Sequence, residues 1–130
     1  MIGYVTIGTN DLEKSRAYYD ALLADIGAKR VMELPDGFTL YGTSLGRPSL
    51  AVTPPYDGGK ASAGNGNMVA LAMDSREKVD ALHAKALELG GSCEGPPGLR
   101  NEEGDGAFYG AYFRDLDGNK LCAFRFGPPA

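Results

Sequence analysis

The sequence predicts an α+β protein made of two tandem βαβββ modules, and two observations support this. The first is an internal repeat: a shift of the 130-residue chain by 64 positions superposes Val5 on Val69 and Gly27 on Gly91. The second is the order of the hydrophobic patterns, because in each half a strand-like alternation precedes a helical stripe and further short strands. The resulting boundaries are residues 1–54 for the first module, 55–66 for a linker and 67–130 for the second module.

The first module begins at residues 4–8, where aliphatic side chains alternate with small or polar ones, as in a half-buried strand. Asn10, with Glu13 three residues later, is the expected N-cap of the helix that follows. Gly27 is expected to end this helix because glycine accepts the left-handed conformation. The remaining predicted strands are residues 29–34, 38–43 and 48–53.

The second module repeats this order. Residues 68–73 alternate like a strand, Asp74 with Glu77 is the expected helix start, and Gly90-Gly91 is the expected end. Asp117-Gly118 is a hairpin signal between two strand-like runs. The predicted strands after the helix are residues 92–94, 108–114 and 120–126.

Composition and charge exclude several classes of function. The 17 Asp and Glu outnumber the 13 Lys and Arg, which gives a net charge of −4. This charge argues against nonspecific electrostatic binding to nucleic acid or to an anionic membrane surface. A cationic ligand stays compatible with this charge. No apolar run approaches the roughly 20 residues that span a bilayer. The N-terminus has no secretory pattern, so we expect a cytoplasmic protein in which Cys93 and Cys122 are reduced.

Several short sequence segments, taken in order, resemble those of the vicinal oxygen chelate superfamily. This superfamily includes glyoxalase I, extradiol dioxygenases, fosfomycin-resistance transferases and bleomycin-resistance proteins. The resemblance extends over essentially the whole chain as one such domain. It implies the glyoxalase/bleomycin resistance/dioxygenase fold, with paired modules around an open, barrel-like cleft, and it implies a homodimer. The segments on which the resemblance rests are residues 5–7, 11–15, 18–19, 68–71, 79–83, 90–91, 97–100 and 115–120.

The resemblance also locates the positions at which enzymes of this superfamily usually hold a divalent metal with His and Glu. Matching the motifs puts Tyr4, Leu50, Met68 and Cys122 at these positions. Hard and borderline cations prefer carboxylate oxygen and imidazole nitrogen, and a chain with a single His cannot supply two imidazoles. We therefore expect no metal cofactor, with the exception that Cys122 could hold an unusual metal as a thiolate.

Strand alternation predicts a set of side chains that share the cleft face and bind a small organic molecule. The alternative is an interior that these same side chains fill. Arg100, after Pro96-Pro97-Gly98, could clamp a carboxylate or phosphate, or be a solvated loop residue. The candidate ligand-binding residues are Tyr4, Thr6, Met68, Ala70, Arg100, Tyr112, Cys122 and Phe124, with Phe126 on the same face.

Five residues have both a chemical and a structural interpretation. Tyr109 and Tyr112 fall on opposite faces of one strand, so at most one of them points into the site without a bulge. Tyr41 is a weaker candidate of the same kind. His83 is interpreted as a helix-flank residue rather than a proton-transfer group. Cys122 is interpreted as a buried apolar residue rather than a nucleophile, because no activating neighbour is identifiable.

The leading functional hypothesis is a metal-free, glyoxalase/bleomycin-resistance-like protein that sequesters or senses a small molecule in the inter-module cleft. No catalytic residue is assigned under this hypothesis. One alternative is a glyoxalase I-like lyase or isomerase that uses Tyr4, Tyr112 or Cys122, or an unusual metal. Another is a non-catalytic interaction domain with a closed cleft.

Overall fold

A computed structural model describes residues 1–129, and it contains two four-stranded sheets, each with one helix. This confirms the predicted α+β class and the two tandem βαβββ modules. The elements, in chain order, are β1 (Tyr4–Gly8), α1 (Leu12–Ala24), β2 (Lys29–Glu33), β3 (Thr39–Gly42), β4 (Ser49–Thr53), β5 (Val69–Ala72), α2 (Arg76–Glu88), β6 (Ser92–Leu99), β7 (Phe108–Arg114) and β8 (Lys120–Phe126).

The chain divides into two compact units, which are described separately. The first unit contains residues 1–65 and the turn at residues 116–119. The second unit contains residues 66–115 and the chain from Lys120 onward.

In the first unit the strand order is β1-β4-β3-β2, with β1 parallel to β4 and the other pairs antiparallel. Helix α1 packs on β2, β3 and β4. Its Tyr19, Leu22 and Leu23 are buried, as are Leu50 and Val52 of the sheet. The apolar stripe predicted from 3.6-residue spacing is therefore the buried face of the helix.

The second unit repeats this arrangement with the strand order β5-β8-β7-β6, in which β5 is parallel to β8. Helix α2 packs on β6, β7 and β8. Val79, Leu82 and Ala86 of the helix are buried, together with Phe113 and Leu121 of the sheet.

Both helices begin one residue later than the sequence predicts. The N-caps are Asp11 and Ser75, whose side chains accept hydrogen bonds from the N–H groups of Lys14 and Lys78. Asn10 is not a cap because its side chain is used elsewhere: its amide donates to the carbonyl of Ala61 at 3.0 Å and accepts from the N–H of Ala61 at 2.7 Å. Asn10 therefore holds the linker against the start of the first helix.

Strand β6 is longer than the predicted run at residues 92–94 and continues through Pro96 and Pro97 to Leu99. Proline is tolerated here because β6 is an edge strand, where a missing N–H group costs no pairing on the free side. Register shifts on both sides of Gly95 show how the strand bulges around these residues. None of the helices in the described part of the chain is long and apolar enough to cross a membrane.

Candidate functional site

The second sheet has one face covered by α2 and an opposite face, which we call the distal face. Antiparallel register places Tyr112 opposite Cys122, and parallel register places Cys122 beside Ala70. Because partners in register point to the same side of a sheet, these three side chains share one face. Phe124 follows Cys122 at a spacing of two and lies on the same face, opposite Gly110. The structure thus brings Ala70, Tyr112, Cys122 and Phe124 together on the distal face.

Tyr112 is the centre of a cationic cluster on this face. The guanidinium carbon of Arg100 lies 5.2 Å from the centroid of the Tyr112 ring, and the Lys120 Nζ lies 5.5 Å from it. Both distances fall within the range at which the quadrupole of an aromatic ring attracts a cation. Arg100 is exposed, and one of its η nitrogens donates to the Pro96 carbonyl. Neither Arg100 nor Lys120 forms an ion pair with any residue of the described chain.

Glycines make room for this cluster. A Cβ atom on Gly95 would lie 3.0 Å from Cδ2 of Tyr112 and 3.2 Å from an η nitrogen of Arg100. A Cβ atom on Gly98 would lie 3.5 Å from the other η nitrogen of Arg100. The absence of side chains at Gly95 and Gly98 of β6 therefore leaves room for the guanidinium and the tyrosine ring.

An aromatic pair lies next to the cationic cluster. The rings of Phe108 and Phe124 stack at a centroid distance of 5.3 Å and an interplanar angle of 7°. A Cβ atom on Gly110 would lie 2.8 Å from Cε1 of Phe108, so glycine at this position allows that ring to lie over the strand. The distal face thus combines a stacked apolar surface with two cations, an arrangement that suits an amphiphilic small molecule.

Cys122 lies under this cluster as a buried thiol. Burial raises the pKa of the thiol, and the nearby charges of Arg100 and Lys120 oppose this effect only in part. The neutral thiol is therefore favoured, which agrees with the interpretation of Cys122 as a buried apolar residue.

Two acidic side chains of the second unit, Glu94 and Glu103, are paired with other cations. Glu94 accepts a hydrogen bond from Nε of Arg114 at 2.7 Å, which lowers the pKa of the Glu94 carboxyl. Glu103 forms a bidentate pair with Arg76, with distances of 2.6 and 2.8 Å. Lys120 also contributes to the lowered pKa of Glu94 through its charge, but neither Arg100 nor Lys120 lies within ion-pair distance of a carboxylate in residues 1–129.

In the first unit, Tyr4 and Thr6 lie on the face of the first sheet opposite α1. Tyr4 is 58% exposed and contacts Phe38 edge to face, with ring centroids 5.9 Å apart. Leu50 lies on the other face: it pairs with Val5 in register, whereas Tyr4 pairs with Ser49. The side chains of Tyr4 and Leu50, two of the positions matched to the superfamily's metal ligands, therefore lie on opposite faces of this sheet.

Three further residues of the sequence analysis point toward the helices. Tyr41 is buried under α1, where its hydroxyl donates to the carboxylate of Asp20 at 2.9 Å. Tyr109 donates to the carboxylate of Asp80 at 2.7 Å. His83 lies on the buried face of α2 and not at the edge of that face, and its ring contacts that of Phe113. None of these three side chains shares the face of Tyr112.

The donors at the superfamily's metal positions do not fit a hard or borderline divalent cation. Met68, which is 44% exposed, offers a thioether that prefers soft metals. Tyr4 offers a phenol, Leu50 offers no donor, and the thiol of Cys122 is favoured over the thiolate. Within residues 1–129, no group of three or more His, Cys, Asp or Glu side chains is arranged to hold an ion.

Sequence reasoning missed Lys120, Phe108 and the glycines beside them. Lys120 was detectable, because it precedes Cys122 by two residues and the Asp117-Gly118 hairpin pairs its strand with that of Tyr112. The role of Gly95 was not detectable, because bulges in β6 decide which of its residues face Tyr112.

Comparisons with known proteins agree with this architecture. A sequence model of the Glyoxalase/Bleomycin resistance protein/Dioxygenase superfamily matches residues 1–123. A glyoxalase/bleomycin resistance protein from Albidiferax ferrireducens T118 is 39% identical, with a TM-score of 0.83 over 96% of this chain and 98% of that one. A hypothetical protein from S. aureus is 27% identical, with a TM-score of 0.69 over 96% of each chain.

A lactoylglutathione lyase from Agrobacterium tumefaciens shares the fold at 20% identity, with a TM-score of 0.65 over 96% of this chain and 92% of that one. No curated protein matches the chain. The family match covers most of the sequence, and the structure has the two modules that the resemblance implies. The chain therefore belongs to the Glyoxalase/Bleomycin resistance protein/Dioxygenase superfamily.

Proposed function

We propose that this chain is a metal-free member of its superfamily that binds a small organic molecule on the distal face of its second sheet. The observation that carries the proposal is the cluster of Arg100, Lys120 and Tyr112 beside the stacked pair of Phe108 and Phe124. Polar groups beside an aromatic surface are typical of sites for small molecules, where the polar groups orient the ligand and the rings bury its apolar part.

The chemistry of the donor positions supports binding without a metal. Imidazole and carboxylate ligands are replaced by groups that hold catalytic divalent cations poorly. The raised pKa of Cys122 also disfavours the thiolate that a Cys-based lyase or isomerase needs. These observations favour sequestering or sensing over catalysis.

The proposal is tested by elemental analysis and ligand screening of the same preparation. Protein purified without added metal should contain no stoichiometric cation, and a chelator should leave its thermal midpoint unchanged. A thermal-shift screen of metabolites and antibiotics should give ligands that raise this midpoint by mass action. A stoichiometric cation would overturn the metal-free part, and a uniform lack of response would favour the non-catalytic interaction domain.

We also propose that the protein is a homodimer. Strands β1 and β5 are edge strands, each hydrogen-bonded on one side within its own sheet. Apolar side chains next to these edges are exposed, namely Ile2 (56%), Tyr4 (58%), Val5 (37%) and Met68 (44%). A second copy that covers these edges would remove apolar surface from water and protect unpaired strand edges from less specific association. Sedimentation equilibrium should then give twice the monomer mass of 13.7 kDa.

A further inference from the structure

We infer that the ligand of the distal face is an organic anion, whose oxygen-acid group binds Arg100 and Lys120 while its planar apolar part contacts the rings of Phe108 and Phe124. This inference rests on the proposed function and names the chemical class of its ligand. Either a carboxylate or a phosphate ester would supply this acid group. A negatively charged ligand is the opposite of the cationic ligand that the net negative charge of the whole chain favours.

The first step of the argument concerns charge. The chain has a net charge of −4, yet Arg100 and Lys120 converge on one tyrosine ring without an acidic partner. The neighbouring carboxylates of Glu94 and Glu103 are already bound to Arg114 and Arg76. Both cations lie within 6 Å of the Tyr112 ring, so an anion that binds at this ring would be attracted by two positive charges.

The second step concerns geometry. Arg100 uses one η nitrogen for the Pro96 carbonyl, and its other N–H groups have no acceptor in the described chain. The guanidinium lies close to the backbone of Gly95 and Gly98 and to an aromatic ring, and its planar set of donors suits bidentate recognition of a carboxylate or of two phosphate oxygens. Lys120 adds a point charge on the same face.

The third step concerns the apolar part of the ligand. Phe108 and Phe124 are half-buried, and their parallel rings lie on the strands that also carry Tyr112 and Lys120. Ala70 and Gly110, on the same face, add little bulk beside them. A flat conjugated ring would thus find both an apolar contact and a cation within the span of a small molecule.

The test is an NMR titration of the isotope-labelled full chain with benzoate, phenyl phosphate and benzamide. These probes share a ring, and only benzamide is neutral. We expect the amide signals of Gly95, Gly98 and Gly110 to shift with benzoate or phenyl phosphate at an affinity roughly tenfold above that for benzamide, and to shift less as salt screens the charges. The tighter of the two anions identifies the acid group.

Variants assign the effect to the two cations. Arg100→Gln should lower the affinity for the preferred anion roughly tenfold and abolish its preference over benzamide. Lys120→Gln should lower this affinity by a smaller factor, because it removes a point charge rather than a planar donor pair. Arg47→Gln is the matched control: it removes one positive charge from an exposed loop of the first unit and should leave the affinity unchanged.

The contrary outcomes separate this inference from the proposed function. Equal affinities for benzamide and benzoate at these glycines would overturn the anion inference and leave small-molecule binding in place. Benzoate binding that is unchanged in both the Arg100 and the Lys120 variant would also overturn the anion inference and leave small-molecule binding in place. Absence of any shift at the three glycines with all three probes would overturn both, because the distal face would then not be a binding surface.

Discussion

A single glycine, Gly95, decides whether the Arg100–Tyr112 contact can form. The Gly95→Ala substitution places a Cβ atom 3.0 Å from the tyrosine ring and 3.2 Å from the guanidinium, and one of them must move. We expect the affinity for benzoate to fall severalfold, with a loss of about 1 kcal/mol in the free energy of unfolding. NMR titration and urea unfolding measure the two effects. Gly106→Ala is the control, because a Cβ atom there meets nothing within 4 Å and both properties should stay as in the parent.

His83 gives the protein a pH-dependent stability. Burial lowers the pKa of its imidazole below the ordinary value of 6.5, against the opposing effects of the Tyr112 backbone and the Asp80 carboxylate. Nε2 has no hydrogen-bond partner in the described chain. The unfolded state therefore binds a proton more readily than the folded state. The contribution of His83 to stability is fully present above pH 6.5 and is lost as the pH falls through its lower folded-state pKa.

Urea unfolding measured from pH 8 to pH 5.5 should accordingly show a falling free energy of unfolding. His83 is the single histidine of the chain, so His83→Leu should flatten this slope. A slope that is the same in the parent and in the variant would refute the assignment to His83.

At the residue scale, period-two alternation predicted Cys122 and Phe124 on one face, and it left open whether Tyr112 or Tyr109 shares that face. Motif matching located the fourth superfamily position only near Leu50, and a shift of one residue along a strand changes the face on which a side chain lies. The clustering of Arg100 on Tyr112 was only an open alternative, since it depends on the bulged path of β6.

At the scale of elements, Asn10 shows why a helix start can be displaced by one residue. Both Asn10 and Asp11 are good capping residues, and intrinsic preference does not separate them. The hydrogen bonds between Asn10 and the linker do separate them, and they connect residues 51 positions apart. A local sequence pattern predicts the helices and strands themselves, but it does not predict such long-range contacts.

We expect Asn10→Ala to lower the free energy of unfolding by about 1–2 kcal/mol, because two hydrogen bonds to Ala61 are lost and the N–H and carbonyl of the linker lose their partner. Hydrogen exchange at Ala61 should also become faster as the linker detaches. Asn65→Ala, at an exposed linker position without a side-chain hydrogen bond in the described chain, should change the free energy of unfolding by no more than about 0.5 kcal/mol and leave the exchange at Ala61 as in the parent. Equal effects of the two substitutions would show that Asn10 does not anchor the linker.

At the scale of the whole molecule, the 64-residue repeat predicted the number of modules and the order of their strands, because each repeat must form a sheet with one face covered by its helix. The two copies have since diverged in chemistry. On the face away from the helix, the last strand of the first unit carries Ser49, Ala51 and Thr53, and that of the second unit carries Lys120, Cys122 and Phe124. The same backbone therefore supports small side chains on this strand in one unit and a cationic, aromatic set in the other.

The exposed strand edges lead to a prediction about assembly. If a second copy covers β1, a charge on this strand should prevent association, because burying an unpaired ammonium group at an apolar interface costs several kcal/mol. We expect Val5→Lys to sediment as a monomer of 13.7 kDa under conditions in which the parent sediments at twice that mass. Tyr56→Lys introduces the same charge at a fully exposed linker position and should stay dimeric. Circular dichroism of both variants checks that the fold is retained, and a folded Val5→Lys variant that still dimerises would place the interface away from β1.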